Sequence, residues 1–172
     1  MDQDEKNGAQ FAEAIRLRGC FEVGIYDARN NELLEYRKIN NVVVTSGRSY
    51  VLSRIIGSGL AQTDVMTSIE VGTSTTAPAT GDTLLNGTWA TATGGTGRLA
   101  IATFITGGLG SNPPFWQAQV TFATNQANTT LGEAGIFNAA AYNVQTMLSH
   151  VTFATINKTT SNTLAITYTI SN

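Results

Sequence analysis

Asn162-Thr163-Leu164-Ala165-Ile166-Thr167-Tyr168-Thr169-Ile170 alternates larger apolar residues with small polar ones. In an extended chain Leu164, Ile166, Tyr168 and Ile170 fall on one face, and Thr163, Ala165, Thr167 and Thr169 on the other. That is a strand with one side in a core and a hydroxyl-rich side toward water. The same period extends outward from it. Residues 115–124 place Trp116, Ala118, Val120 and Phe122 together, and residues 98–106 do so with Leu99, Ile101, Thr103 and Ile105. Residues 68–72, 132–139 and 145–155 read as further strands, separated by Gly, Pro and Asn. Many short runs of period two predict a mainly β chain folded as an antiparallel β-sandwich, jelly-roll-like in arrangement. No repeat of fixed period is visible.

The first third reads differently. Phe21, Val23 and Ile25 alternate with Glu22, Gly24 and Tyr26; residues 27–31 signal a turn, and residues 32–37 return as the second strand of a hairpin. Asn40-Asn41-Val42-Val43-Val44 is a third run. Thr45 or Ser46 can cap one short helix from 47 to 56, with Val51, Leu52, Ile55 and Ile56 as its apolar stripe. Residues 9–18 have helical composition, with Phe11 and Ile15 on one face and Gly19 as the stop. The predicted organisation is an N-terminal arm, 1–19, and a sandwich domain, 20–172. Within the domain, 20–60 hold the hairpin and helix, and 61–172 hold low-charge strands rich in Thr and Gly.

Charge divides the chain. Of 22 Lys, Arg, Asp and Glu residues, 18 lie in residues 1–70. Beyond Glu70 only Asp82, Arg98, Glu133 and Lys158 remain, with His150 as the sole histidine. Overall 13% of residues are charged, against about 25% in ordinary soluble domains. This removes most acid–base side chains and leaves a neutral surface suited to permanent packing. A net charge of −2 gives no reason to expect nucleic acid as a partner. No apolar run approaches the roughly 20 residues of a membrane-spanning helix. The N-terminus lacks the pattern of a secretory signal, so synthesis in the cytoplasm without export by that route is expected.

Little points to catalysis, and no cofactor or metal is expected. Cys20 is the lone cysteine, which precludes an intrachain disulfide. His150 reads as a strand histidine on a polar face. Glu133 and Asp82 are the one carboxylate pair of the C-terminal part, and a glycosidase would need such a pair across its scissile bond. The reading preferred for Glu133 is a fixed hydrogen bond or ion pair, with Arg98 or Lys158 as the cation, setting strand register or an interface. Gly94-Gly95-Thr96-Gly97-Arg98 lacks the phosphate-loop frame. Trp89, Phe115 and Trp116 could form a sugar-stacking platform, which keeps a carbohydrate-binding module among the alternatives.

Three segments resemble a group of tailed-bacteriophage virion proteins. They are the hairpin and link Phe21-Glu22-Val23-Gly24-Ile25-Tyr26-Asp27-Ala28-Arg29-Asn30 with Asn40-Asn41-Val42-Val43-Val44-Thr45-Ser46-Gly47; the stretch Val71-Gly72-Thr73-Ser74-Thr75-Thr76-Ala77-Pro78-Ala79-Thr80-Gly81-Asp82-Thr83-Leu84; and Glu133-Ala134-Gly135-Ile136-Phe137 with Met147-Leu148-Ser149-His150-Val151-Thr152-Phe153, Ile156-Asn157-Lys158 and Leu164-Ala165-Ile166-Thr167-Tyr168. His150 stands where these relatives often have arginine, and Tyr168 where they often have tryptophan. The resemblance implies a β-sandwich with a structural, non-enzymatic role. The expectation is a capsid decoration (cement) protein on the outer surface of the phage head. It would bind the major capsid protein and itself as a homo-oligomer, with a trimer favoured. Phe11, Ile15 and Leu17 would form the capsid tether. A tail, baseplate or fibre-associated protein is the alternative.

Overall fold

The computed structural model describes residues 17–56, 65–87, 97–107, 115–138 and 145–171. Ten strands and one helix follow in chain order. They are β1 (Arg18–Asp27), β2 (Leu33–Asn40), β3 (Val42–Val43), α1 (Thr45–Ile56), β4 (Ser68–Gly72), β5 (Arg98–Ala100), β6 (Thr103–Thr106), β7 (Phe115–Phe122), β8 (Thr130–Phe137), β9 (Met147–Asn157) and β10 (Asn162–Ser171). They form two five-stranded sheets. Sheet A has the order β2-β1-β10-β7-β6 and sheet B the order β3-β9-β8-β4-β5. Every pairing is antiparallel. The chain is therefore a mainly β protein with the architecture of an antiparallel sandwich.

The alternating residues do what their period requires. Phe21, Val23 and Ile25 of β1, Ala118, Val120 and Phe122 of β7, and Leu164, Ile166 and Tyr168 of β10 are buried in one cluster. Ile69 and Val71 of β4, Leu131, Ala134 and Ile136 of β8, and Val151 and Phe153 of β9 join the same cluster from sheet B. Burying a Val, Leu, Ile or Phe side chain is worth about 1.5–3 kcal/mol, so this shared core holds the sheets face to face. The β1–β2 turn is fixed by side chains. Asp27 accepts from the Arg29 backbone N–H at 2.8 Å, and Asn31 takes a left-handed conformation at φ 57°.

Three expectations are corrected. The alternating run 98–106 is two strands, because the chain changes sheets in its middle. Ile101 N–H bonds to Thr67 O and the next residue, Ala102, bonds to Gln119 O. The segment 9–18 was expected to be helical up to a stop at Gly19; Arg18 and Gly19 instead lie in β1, and residues 9–16 fall outside the described residues. The helical stripe holds at Val51 and fails at Leu52. Tyr50 and Val51 pack on the core, while Leu52 is 59% exposed.

Helix α1 sits on sheet B through Gly47. A Cβ there would lie 2.2 Å from Leu148 O and 2.7 Å from Leu148 Cα. Both obstructing atoms are backbone and cannot rotate away. Ser46 adds a hydrogen bond to Met147 O at 3.0 Å, so its hydroxyl anchors the helix to β9. Gly47→Ala is expected to lower stability by about 1–3 kcal/mol through overpacking. A urea melt followed by circular dichroism would show this as a reduced midpoint at unchanged slope.

Candidate functional site: a buried histidine between two carboxylates

The site lies on the outer face of sheet B. Register places His150 of β9 opposite Gly135 of β8, two residues from Glu133. Glu133 and His150 are thus diagonal neighbours on one face, and Gly135 presents no side chain between them. The segment from Thr73 to Gly87, which contains Pro78, passes over this face. Gly132 permits its close approach, since a Cβ there would lie 2.6 Å from Ser74 O.

His150 is fully buried and both ring nitrogens face acids. Nδ1 lies 2.7 Å from Asp82 Oδ2 and Nε2 lies 3.0 Å from Glu133 Oε2. Glu133, also fully buried, accepts three backbone N–H groups besides. They are Ser74 at 3.2 Å, Asn86 at 2.9 Å and Gly87 at 2.6 Å. Asp82 accepts Ala79 N–H at 2.8 Å. The loop is therefore held from both ends to the sheet, through one glutamate, and in its middle through one aspartate. Thr45 N–H bonds to Thr80 O at 2.7 Å, joining the loop to the start of α1, and Leu85 packs on Val44, Phe137 and Met147.

A neutral imidazole has one N–H to offer, and this site has a carboxylate at each nitrogen. Two donors are satisfied only by the imidazolium. Burial opposes that charge, but the hydrogen bonds to Glu133 and Asp82 outweigh it and raise the His150 pKa above its ordinary value. The unit is a charge-assisted clamp in which neither ring nitrogen is left to activate a nucleophile.

The other predicted residues are placed as follows. Arg98 does not pair with Glu133. Its Nε donates to Glu70 Oε2 at 2.9 Å, where cross-strand register sets the two side by side. Its guanidinium also lies 4.3 Å from the Phe137 ring centroid and reaches Gln145. Lys158 does not pair with Glu133 either. It is buried at the end of β9, donating from Nζ to Ala123 O at 2.8 Å and Asn128 Oδ1 at 3.0 Å, and burial pushes its pKa down to about 8. The expected ion pair is thus replaced by His150, which lies not on a polar exposed face but fully buried. Leu17 is partly buried against its own core, whereas Phe11 and Ile15 lie outside the described residues, as does Trp89. Trp116 is half-buried, 5.6 Å from the Phe104 ring and 6.0 Å from that of Tyr168. Among the described residues no group of three or more His, Cys, Asp or Glu is arranged to hold a metal ion, and none of their helices is long and apolar enough to cross a membrane.

The signal that could have exposed the clamp was the scarcity of charge itself. Each of the five residues kept after Glu70 (Asp82, Arg98, Glu133, His150, Lys158) holds a specific polar contact with another part of the chain. No family model matches this chain, and no curated protein and no solved structure matches it.

Proposed function

We propose that this chain is a non-enzymatic structural protein of a tailed-phage virion, a decoration (cement) protein that binds the major capsid protein and reinforces the head. One observation supports the reading above the others. Two of the three segments that resemble phage virion proteins meet in a single architectural unit. Asp82 comes from the threonine-rich stretch, Glu133 from the Glu-Ala-Gly stretch and His150 from the strand after it, and together they fasten loop 73–87 to sheet B. Asp82 and Glu133, which carry the resemblance, are spent on holding a surface in shape. A rigid, nearly charge-free surface is what an obligate structural interface uses.

Immunogold electron microscopy with an antibody to this chain tests the assignment on purified virions. Gold over the heads is expected. Gold confined to tails would move the protein to the tail-associated alternative, and unlabelled particles would overturn the virion reading.

A further inference from the structure

We propose that β6 is a self-association seam, on which the β6 strand of a second copy pairs antiparallel across a two-fold axis. β6 is the outermost strand of sheet A beyond β7. Its four residues, Thr103-Phe104-Ile105-Thr106, are all exposed. An edge strand turns half of its main-chain N–H and C=O groups away from its neighbour, and the group that satisfies them best is another strand. Proteins that keep such edges free blunt them with charge, proline, bulges or shortness.

The other edges among the described residues are blunted in these ways. β2, the opposite edge of sheet A, carries Glu35, Arg37 and Lys38. In sheet B, β3 is two residues long and β5 is three, with Arg98 among them. β6 alone among the described edges is longer than three residues and has neither charge nor proline, and its register with β7 runs unbroken from Thr103 to Thr106.

A second copy is the occupant that this chemistry favours. A two-fold axis perpendicular to the sheet at Phe104 sets Phe104 opposite its own counterpart and Thr103 opposite Ile105, and a neutral strand meets no like charge when it faces itself. The side chains also match. Phe104, 50% exposed, is the outer end of an aromatic row that runs through Trp116 and Tyr168 to Phe21. It rims an apolar groove of about 590 Å³ lined by Tyr50, Val51, Met66, Trp116 and Ile170. Pairing across the axis brings the two Phe104 rings toward each other and removes both groove rims from water. Sheet A then becomes half of a continuous ten-stranded sheet. This inference is independent of the virion reading, which stands if the seam fails.

The test compares the wild-type chain with Ile105→Lys and with Leu34→Lys, a control on the charged edge. Ile105 is 40% exposed and Leu34 52%, so neither change disturbs the core. Light scattering across a concentration series is expected to show a wild-type dimer and a control dimer, with the Ile105→Lys dissociation constant raised at least about 30-fold, as for loss of an interface hot spot. Amide exchange in residues 103–106 should slow with rising wild-type concentration and stay unchanged in Ile105→Lys. A wild-type monomer at about 100 μM, well above the micromolar range of a weak specific complex, would overturn the seam. So would a trimer, or a dimer indifferent to Ile105→Lys.

Discussion

Glu133→Ala is expected to cost about 3–5 kcal/mol, a large part of the stability of a domain this size. The substitution removes the acceptor for the Ser74, Asn86 and Gly87 N–H groups and leaves the His150 imidazolium with Asp82 alone. Orphaned buried donors cost about 1–3 kcal/mol each when nothing replaces the bond, and relaxation of the loop toward water limits the sum. Glu133→Gln keeps the shape and one acceptor oxygen, but its amide NH2 must face either a ring nitrogen or a backbone N–H. It should lose about 2 kcal/mol. Urea unfolding ranks the two variants, and limited proteolysis locates the damage. Cleavage within residues 73–87 should precede global unfolding in both. If Glu133→Ala unfolds within 1 kcal/mol of wild type (roughly the size of an ordinary surface change), the clamp is not a stability element.

The second large effect is on pH. The His150 pKa is raised in the folded state above its ordinary value of 6.5, so the folded protein keeps a proton that the unfolded chain releases. This contribution is complete below about pH 6.5 and is lost as pH rises through the elevated folded value. Stability should therefore decline with rising pH, by at most about 1.4 kcal/mol per unit for one proton. Lys158 acts with the opposite sign. Its pKa falls from 10.5 to about 8, so the unfolded chain binds more protons between those values and stability recovers with pH there. The histidine effect is isolated between about pH 6.5 and 8. Urea melts through that interval should show the decline in wild type and a flat line in His150→Asn. An equal slope in both would assign the dependence to another group. The contrast with an arginine at this position is chemical. Arginine is a permanent cation, whereas histidine makes the same bridge conditional on protonation.

The strands were legible because their inner faces obey one rule. Residues 115–124, 132–139, 145–155 and 162–170 were read to within two residues of β7, β8, β9 and β10, and 68–72 coincides with β4. The rule failed where a strand is covered on both sides. Glu70, Arg98, Glu133 and His150 sit on the outer face of sheet B, which period two assigns to solvent, yet all four are buried. What covers Glu133 and His150 is the loop 73–87, whose Thr, Pro and Gly content marks a turn region and says nothing of where it lies. The change of sheet at Ile101 and Ala102 was invisible for a related reason. Leu99, Ile101, Thr103 and Ile105 alternate in sequence without a break, yet Leu99 and Ile101 pack on the core while Ile105 pairs with Gln117 on the other face of sheet A and Phe104 takes the core side. Glu133 and Asp82 were each conspicuous as isolated acids. Their union through His150 depends on contacts across 17 and 68 residues of chain, separations no local pattern encodes.

The position of β10 sets the timetable of synthesis. All five strands of sheet B precede it in the chain, the last of them, β9, by only a few residues. Sheet A cannot close without it, because β10 is its middle strand, bonded to β1 on one side and β7 on the other. Until it emerges from the ribosome, β1–β2 and β6–β7 are two separate hairpins with Phe21, Val23, Val120 and Phe122 uncovered. At about 5–20 residues per second, β1 waits about 7–30 seconds for its partner. The newborn chain passes through a half-sheeted state with sticky strand margins, and the nascent protein must cross it before neighbouring copies capture those margins.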